Sequence, residues 1–310
     1  MDAVVTRVGA NDTVERRGGR PRRSLMRHRG IAGCGLALAC MTLLVGCSKN
    51  PYTGRNQILM VSSEQEMALG AEAYQQVKTD PKNKMSSDPR EIEPVQRVAA
   101  RVIEAAKRSK YTELANEFQW EVSVIKDEQT LNAFALPGGK IAVYTGIFPA
   151  AKNEAGLAAI MGHEVVHALA RHGGERMSQN VVTQGLLTGA GAALSIGGMN
   201  PAAAQATMGV LGAGAQYGVL LPFSRKHESE ADYIGLLLAA DAGYDPREAV
   251  HVWERMGQLS GGGAPPEFMS THPGHETRIA QMQKWMPEAL SKVRPGGPGI
   301  GTELPPIARR

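Results

Sequence analysis

Apolar and polar residues recur along this chain with two different periods, and the changes of period mark out its elements. Ser63 with Glu66 three residues on is a capping-box pattern that predicts a helix to about Lys78, ended by Asp80-Pro81. Asp88-Pro89-Arg90-Glu91 repeats the start signal, and Val95, Val98, Val102, Ile103 and Ala106 follow at helical spacing. Phe118, Trp120, Val122 and Val124 alternate with Gln119, Glu121 and Ser123, the period of a strand. Between Leu131 and Tyr144, Pro137-Gly138-Gly139 joins two short extended pieces as a hairpin. A helix is predicted after Asn153 to about Gln179, a second from Ser224 to about Ala242, and a third from Asp245-Pro246-Arg247-Glu248 to about Leu259. After a Gly/Pro loop at 261–266, a last helix from about His275 carries Ile279, Met282 and Met286. Residues 48–58 read as a polar tether, and the Pro/Gly-rich chain from Arg294 onward as a disordered tail.

The ends of the chain change this picture more than its overall composition does. With 310 residues, 43% of them apolar, there is material for one large or two modest domains with a real core. The net charge of +4 is misleading, because residues 1–46 hold eight arginines against three acids, and the remainder carries 26 basic and 27 acidic side chains. A nucleic-acid partner is therefore not expected. Arg27 and Arg29 precede an apolar run from Ile31 to Val45 that ends Leu44-Val45-Gly46-Cys47, the layout of a secretory signal peptide. Its last residues resemble the bacterial lipobox, which makes Cys47 the expected lipidation site and new N-terminus. The alternative is a short uncleaved membrane anchor. Cys34, Cys40 and Cys47 are the only cysteines, so beyond them any metal must be held by His and carboxylate. The Gly/Ala-rich stretch 181–221 reads either as a membrane hairpin or as small-residue helices packed beside the site or on a membrane surface.

The sharpest chemical signal is His163-Glu164-Val165-Val166-His167. On a helix, residues four apart differ by about 40° around the axis, so both imidazoles face one point, while Glu164 sits about 100° further round, able to reach a water there. Apolar neighbours from Leu157 to Leu169 embed this pattern, and two buried imidazoles beside a buried carboxylate are costly without an ion. Imidazole nitrogens suit one Zn²⁺ with an open position for water. A third ligand is then needed. His172, nine residues after His163 on a continuous helix, is expected to face away. Glu228 and Asp232, four apart on one helical face, offer a carboxylate ligand and an acceptor for the other N–H of a liganding imidazole, whereas Glu230 points roughly opposite. Read alone, the same residues could be a solvated helix start.

Together with Asn132-Ala133-Phe134-Ala135-Leu136-Pro137-Gly138-Gly139 upstream, HEVVH and Glu228-x-x-x-Asp232 resemble the zinc metallopeptidase family of HtpX, the CAAX prenyl endopeptidases and the mitochondrial OMA-type proteases, closest to its bacterial periplasmic lipoprotein members of the BepA and LoiP kind. The resemblance covers roughly residues 50 to 290. It implies an α+β, mostly helical zincin-type fold with a small sheet beside the HExxH helix, His163, His167 and Glu228 as zinc ligands, and Glu164 as the catalytic acid and base. Thr271-His272-Pro273 with Arg278 matches a further family element. His272 is then either an oxyanion stabiliser or a fourth ligand that keeps the site closed, and on the residues alone it is a His-Pro turn capping the last helix. Lys140, Ile141, Ala142, Val143 and Tyr144 are expected to form an edge strand that pairs with an extended substrate. The domain expectation is a leader at 1–46, a lipidated tether at 47–62, a peptidase domain at 63–293 and a tail at 294–310. The functional expectation is hydrolysis of unfolded or misfolded envelope proteins by an enzyme anchored through acyl chains, on the periplasmic face of the bacterial outer membrane. A second class stays open, an assembly factor or holdase with little or gated proteolysis.

Overall fold

The computed structural model describes residues 46–179, 224–259, 267–272 and 275–307. The leader and the stretch 181–221 lie outside the described residues, and so do the two readings of each. No helix among the described residues is long and apolar enough to cross a membrane.

The segment read as a tether is folded instead. Strands β1 (Gly46–Lys49) and β2 (Asn56–Leu59) pair antiparallel, with Cys47 opposite Ile58. Asn50 closes the connection: its side-chain oxygen accepts from the Tyr52 and Thr53 amides, and its amide group donates to the Tyr111 hydroxyl at 2.9 Å. Such polar pairings leave no hydrophobic period, which is why the sequence pattern does not reveal them.

Helix α1 (Ser63–Thr79) is capped by Ser62 and Gln65, one residue earlier than the pattern suggested. That shift frees Glu66 to turn inward, where it accepts from Arg171 at 2.7 Å. Helix α2 (Pro89–Lys107) starts at its expected cap, Asp88, and buries Val95, Val98 and Val102 completely. A short helix α3 (Thr112–Glu117) then takes up sequence assigned to no element, so the strand β3 begins only at Glu121 and ends at Ile125. Strands β4 (Ala133–Leu136) and β5 (Lys140–Tyr144) form the expected hairpin, whose turn uses Gly138 and Gly139 at φ +82°, a backbone conformation open to glycine.

One expectation fails here. Lys140 to Tyr144 is not an edge strand but the centre of the sheet, in the order β3-β5-β4. Val122 pairs with Ile141 in parallel register and Ala135 pairs with Ile141 in antiparallel register, so both backbone edges are used. The apolar run Ile141-Ala142-Val143 is fully buried, as a central strand requires. The outer strand beside the main helix is β4.

After α4 (Phe148–Ala151), helix α5 (Glu154–Leu169) is capped by Asn153, which accepts from the Gly156 amide at 2.8 Å. All but one of its residues are buried. It does not continue to Gln179. Arg171 adopts φ +56°, its guanidinium held by the Val61 carbonyl and Glu66, and a separate helical stretch occupies 172–179. Helix α6 (Arg225–Asp241), capped by Ser224, lies against α5 at Gly162 and Gly235. A Cβ at Gly235 would stand 2.8 Å from the His163 amide nitrogen, so only paired glycines permit this approach. Helices α7 (Glu248–Leu259), α8 (Glu267–Thr271) and α9 (His275–Ser291) complete a mostly helical α+β fold.

The tail is also ordered as far as Ile307. The Arg294 amide donates to the Ala240 carbonyl, Asp245 to Gly299 and Leu304 to Lys152, while Thr302 bonds Glu154 at 2.8 Å. Glycines 296, 299 and 301, all at positive φ, let this strap follow the body.

Candidate metal centre

Helix α5 delivers both histidines of HEVVH, and the Gly162–Gly235 crossing brings α6 close enough for Glu228 to meet them. His163 Nε2 lies 3.0 Å from His167 Nε2. Glu228 places Oε2 at 3.5 Å from His163 Nε2 and Oε1 at 3.6 Å from His167 Nε2. His272, at the end of α8, adds Nδ1 at 3.2 Å from His163 Nε2 and 3.0 Å from Glu228 Oε1. One donor atom from each of these four buried residues lies within 4.8 Å of the others. Three imidazole nitrogens and a carboxylate, gathered from helices far apart in sequence, are the donor chemistry of a zinc site.

The electrostatics match that donor set. Burial alone would depress the His163 imidazole, but Asp232 and Glu228 outweigh it and raise His163 to about 9. His167, equally buried and beside other imidazoles, is pushed far down. Burial works against the Glu228 carboxylate too, yet His272, His163 and Arg278 hold it well below the usual range. Around one point, then, buried carboxylates held in their charged form meet the Arg278 guanidinium and imidazoles with opposed proton affinities. Glu164 differs: burial raises its carboxyl, and its Oε1 has no hydrogen-bond partner. A buried polar atom left without a hydrogen bond costs roughly 1–3 kcal/mol, which an ion's water within reach would offset. His272 Nε2 lies 3.5 Å from that atom.

The supporting residues are only partly those anticipated. Asp232 sits 3.0 Å from His163 Nδ1, the position needed to fix that ring's tautomer. Arg278 was noted in the sequence but given no role. It bridges Asp232, Glu228 at 2.8 Å and the His272 carbonyl at 3.1 Å, with its guanidinium 3.9 Å from the centre of the Trp253 ring. Phe268 stacks on His272 at 4.5 Å. His172, expected to face away, does not: the break at Arg171 redirects the chain and brings its Nδ1 to 3.1 Å from His167 Nδ1. Glu230 does lie on another face from Glu228, and there it meets His172. The local hint is Gly173-Gly174 just beyond, a breaker pair that does not by itself place the break at Arg171. Lys140 to Tyr144 stay apart from the donor group, inside the sheet.

Comparison with known proteins agrees with this geometry. The profile described as Peptidase family M48 matches residues 89–286. The mitochondrial metalloendopeptidase OMA1 of Schizosaccharomyces pombe is 38% identical over 245 residues, which cover 78% of this chain and 67% of that one. The human mitochondrial metalloendopeptidase OMA1 is 32% identical over 79% of this chain, which spans only 47% of its length. The beta-barrel assembly-enhancing protease of Escherichia coli K12 is 32% identical over 152 residues, 48% of this chain and 31% of the relative. These matches overturn one expectation: the relatives that share most of this chain are mitochondrial proteins of eukaryotes, which speaks against a place on the periplasmic face of a bacterial outer membrane. The lipobox reading was drawn from local pattern alone, and a short apolar run ending in a small residue and cysteine carries little information about location. The chain belongs to peptidase family M48 and is a zinc metallopeptidase.

Proposed function

We propose that the chain is an endopeptidase acting on extended segments of unfolded or misfolded proteins, with His163, His167 and Glu228 as ligands, Glu164 as the proton carrier and His272 as the group that closes the site. The observation that carries this reading is Glu164 Oε1, buried without a hydrogen-bond partner, 3.5 Å from His272 of the four converging donors. When bound, zinc polarises the scissile carbonyl and acidifies the attacking water. Glu164 takes that water's proton at its carboxylate and passes it to the leaving amine, a transfer worth about 10²–10⁴ in rate. Asp232 holds the His163 ring through Nδ1, and Arg278 holds Asp232 and Glu228 in turn. His272 brings its Nδ1 to 3.2 Å from His163 Nε2 and 3.0 Å from Glu228 Oε1, so as a fourth ligand it would compete with a substrate carbonyl, and a productive complex would need that ring to move aside. Because Lys140 to Tyr144 are used within the sheet, the backbone available to an extended substrate is the outer edge of β4, beside α5.

The second reading, an assembly factor with rare hydrolysis, draws support from the closed position of His272 and from the partial likeness to a beta-barrel assembly-enhancing protease. Digestion of a permanently unfolded protein such as reduced, carboxymethylated casein separates the two. A protease cuts it, and Glu164→Gln slows cutting by about 10²–10⁴ while retaining zinc. Wild-type protein that holds zinc yet leaves the unfolded chain intact, but delays its aggregation equally well as Glu164→Gln, would favour the assembly role.

A further inference from the structure

The metal-facing nitrogen of His167 is Nε2, so its Nδ1 must carry the proton when that ring is a ligand. Zinc-binding imidazoles usually give this proton to a carboxylate or a carbonyl. For His163 the acceptor is Asp232. For His167 the neighbour is another imidazole, His172, with Nδ1 to Nδ1 at 3.1 Å. His172 can accept there only if its own proton sits on Nε2, and that nitrogen lies 3.1 Å from Glu230 Oε2. Glu230 in turn accepts from Arg55 at 2.7 Å and from the Thr53 hydroxyl. Arg55 makes a two-pronged contact with Glu175 at 2.7 and 2.8 Å, and Glu175 faces His227, whose ring stacks on His172 at 4.5 Å and 16°. A line of hydrogen bonds thus runs from a zinc ligand to the β1–β2 hairpin, through residues of which only Arg55 and Thr53 lie outside the 89–286 region matched to the family.

We propose that this line is a positioning relay: docking of Arg55 orients Glu230, Glu230 sets the tautomer of His172, and His172 fixes the His167 ring for zinc, so that the N-terminal hairpin governs how tightly the centre holds its ion. The proposal rests on the zinc reading above and adds a dependence on a segment far from the ligands in sequence. It assigns His172 and Arg55 a role in metal retention, not in touching substrate. Only an arginine suits the outer position, because one planar guanidinium can meet both Glu175 and Glu230, while a lysine ammonium is a single point of charge.

The test is the zinc dissociation constant, measured on the full chain by competition with a chromogenic chelator, together with the visible spectrum of the cobalt(II)-substituted protein. Removal of groups that support a ligand typically weakens a metal site about 10–100-fold. His172→Ala and Arg55→Ala are each expected to weaken zinc within that range and to shift the cobalt bands. The double variant is expected to be no weaker than His172→Ala, because both act through one path. Arg55→Lys should fall between wild type and Arg55→Ala. Melting of the zinc-free forms distinguishes this from simple unfolding, and if Arg55→Ala does not fold, Arg55→Lys carries the comparison. Dissociation constants within twofold of wild type with unchanged cobalt bands, or losses that multiply in the double variant, overturn the relay. Wild type without zinc affinity would instead sink the metal reading itself.

Discussion

The proposed mechanism places the proton transfer on one side chain, Glu164. It is the carboxylate within HEVVH, it lies outside the donor group, it is buried, and one oxygen has no hydrogen-bond partner, with His272 Nε2 3.5 Å away. Glu164→Gln keeps the volume and removes the base, so hydrolysis of an unfolded substrate should fall by about 10²–10⁴. Zinc content, read by metal analysis, should stay at the wild-type level. Behind the site, His227 makes a pH prediction. Burial, and then the neighbouring His172, lower its imidazole to about 4 against the pull of Glu175. The unfolded chain, titrating near 6.5, therefore binds a proton that the folded chain refuses. His227 contributes its full stability above about pH 6.5 and loses it as pH falls toward 4, and His172, lowered chiefly by burial, acts with the same sign. The melting temperature should decline across that interval, and His227→Gln should flatten the decline. A wild-type curve that is level from pH 7 to 4 contradicts this. At this scale the sequence was legible where helical spacing fixes geometry, as with His163, His167, Glu228 and Asp232. It was illegible for His172, whose placement depends on a left-handed residue at Arg171 held by partners more than a hundred positions earlier.

At the scale of elements, the centre depends on how closely α5 and α6 approach. Gly162 lies one residue before His163, and Gly235 lies two turns after Glu228, so the contact that joins the helices also sets the ligand spacing. Gly235→Ala places a methyl group against the His163 backbone and should cost about 1–3 kcal/mol by overpacking. Chemical denaturation measures that loss, and the same variant should bind zinc more weakly. An unchanged denaturation midpoint would mean that the helices can separate without consequence. The caps of α2, α5 and α6 could be read directly, because Asp88, Asn153 and Ser224 act on amides two or three residues away. The position of β5 between β3 and β4 could not. Alternation of side chains records that a segment is extended and buried, but the order of strands is decided by a crossover that includes Leu131 and the loop before it.

For the whole molecule, both ends of the described chain are part of the folded body. The β1–β2 hairpin reaches the relay behind His167, and the strap from Arg294 to Ile307 bonds to Ala240, Lys152 and Glu154. Neither was apparent beforehand: the hairpin docks through isolated polar side chains such as Asn50 and Arg55, and the glycine- and proline-rich strap largely through backbone groups, and neither leaves a hydrophobic period. Deleting residues 294–310 should lower the melting temperature by about 2–4 °C for each kcal/mol lost, with zinc affinity unchanged because the hydrogen bonds of the described strap residues reach none of the four donors. The proposed function requires three side chains, His163, His167 and Glu228, to hold one ion together. The most direct measurement is zinc per chain in purified wild type and in Glu228→Ala after dialysis against a mild chelator. One zinc per wild-type chain and its loss from the variant are expected. A wild type that holds no zinc, or a Glu228→Ala variant that retains a full equivalent, would contradict the account.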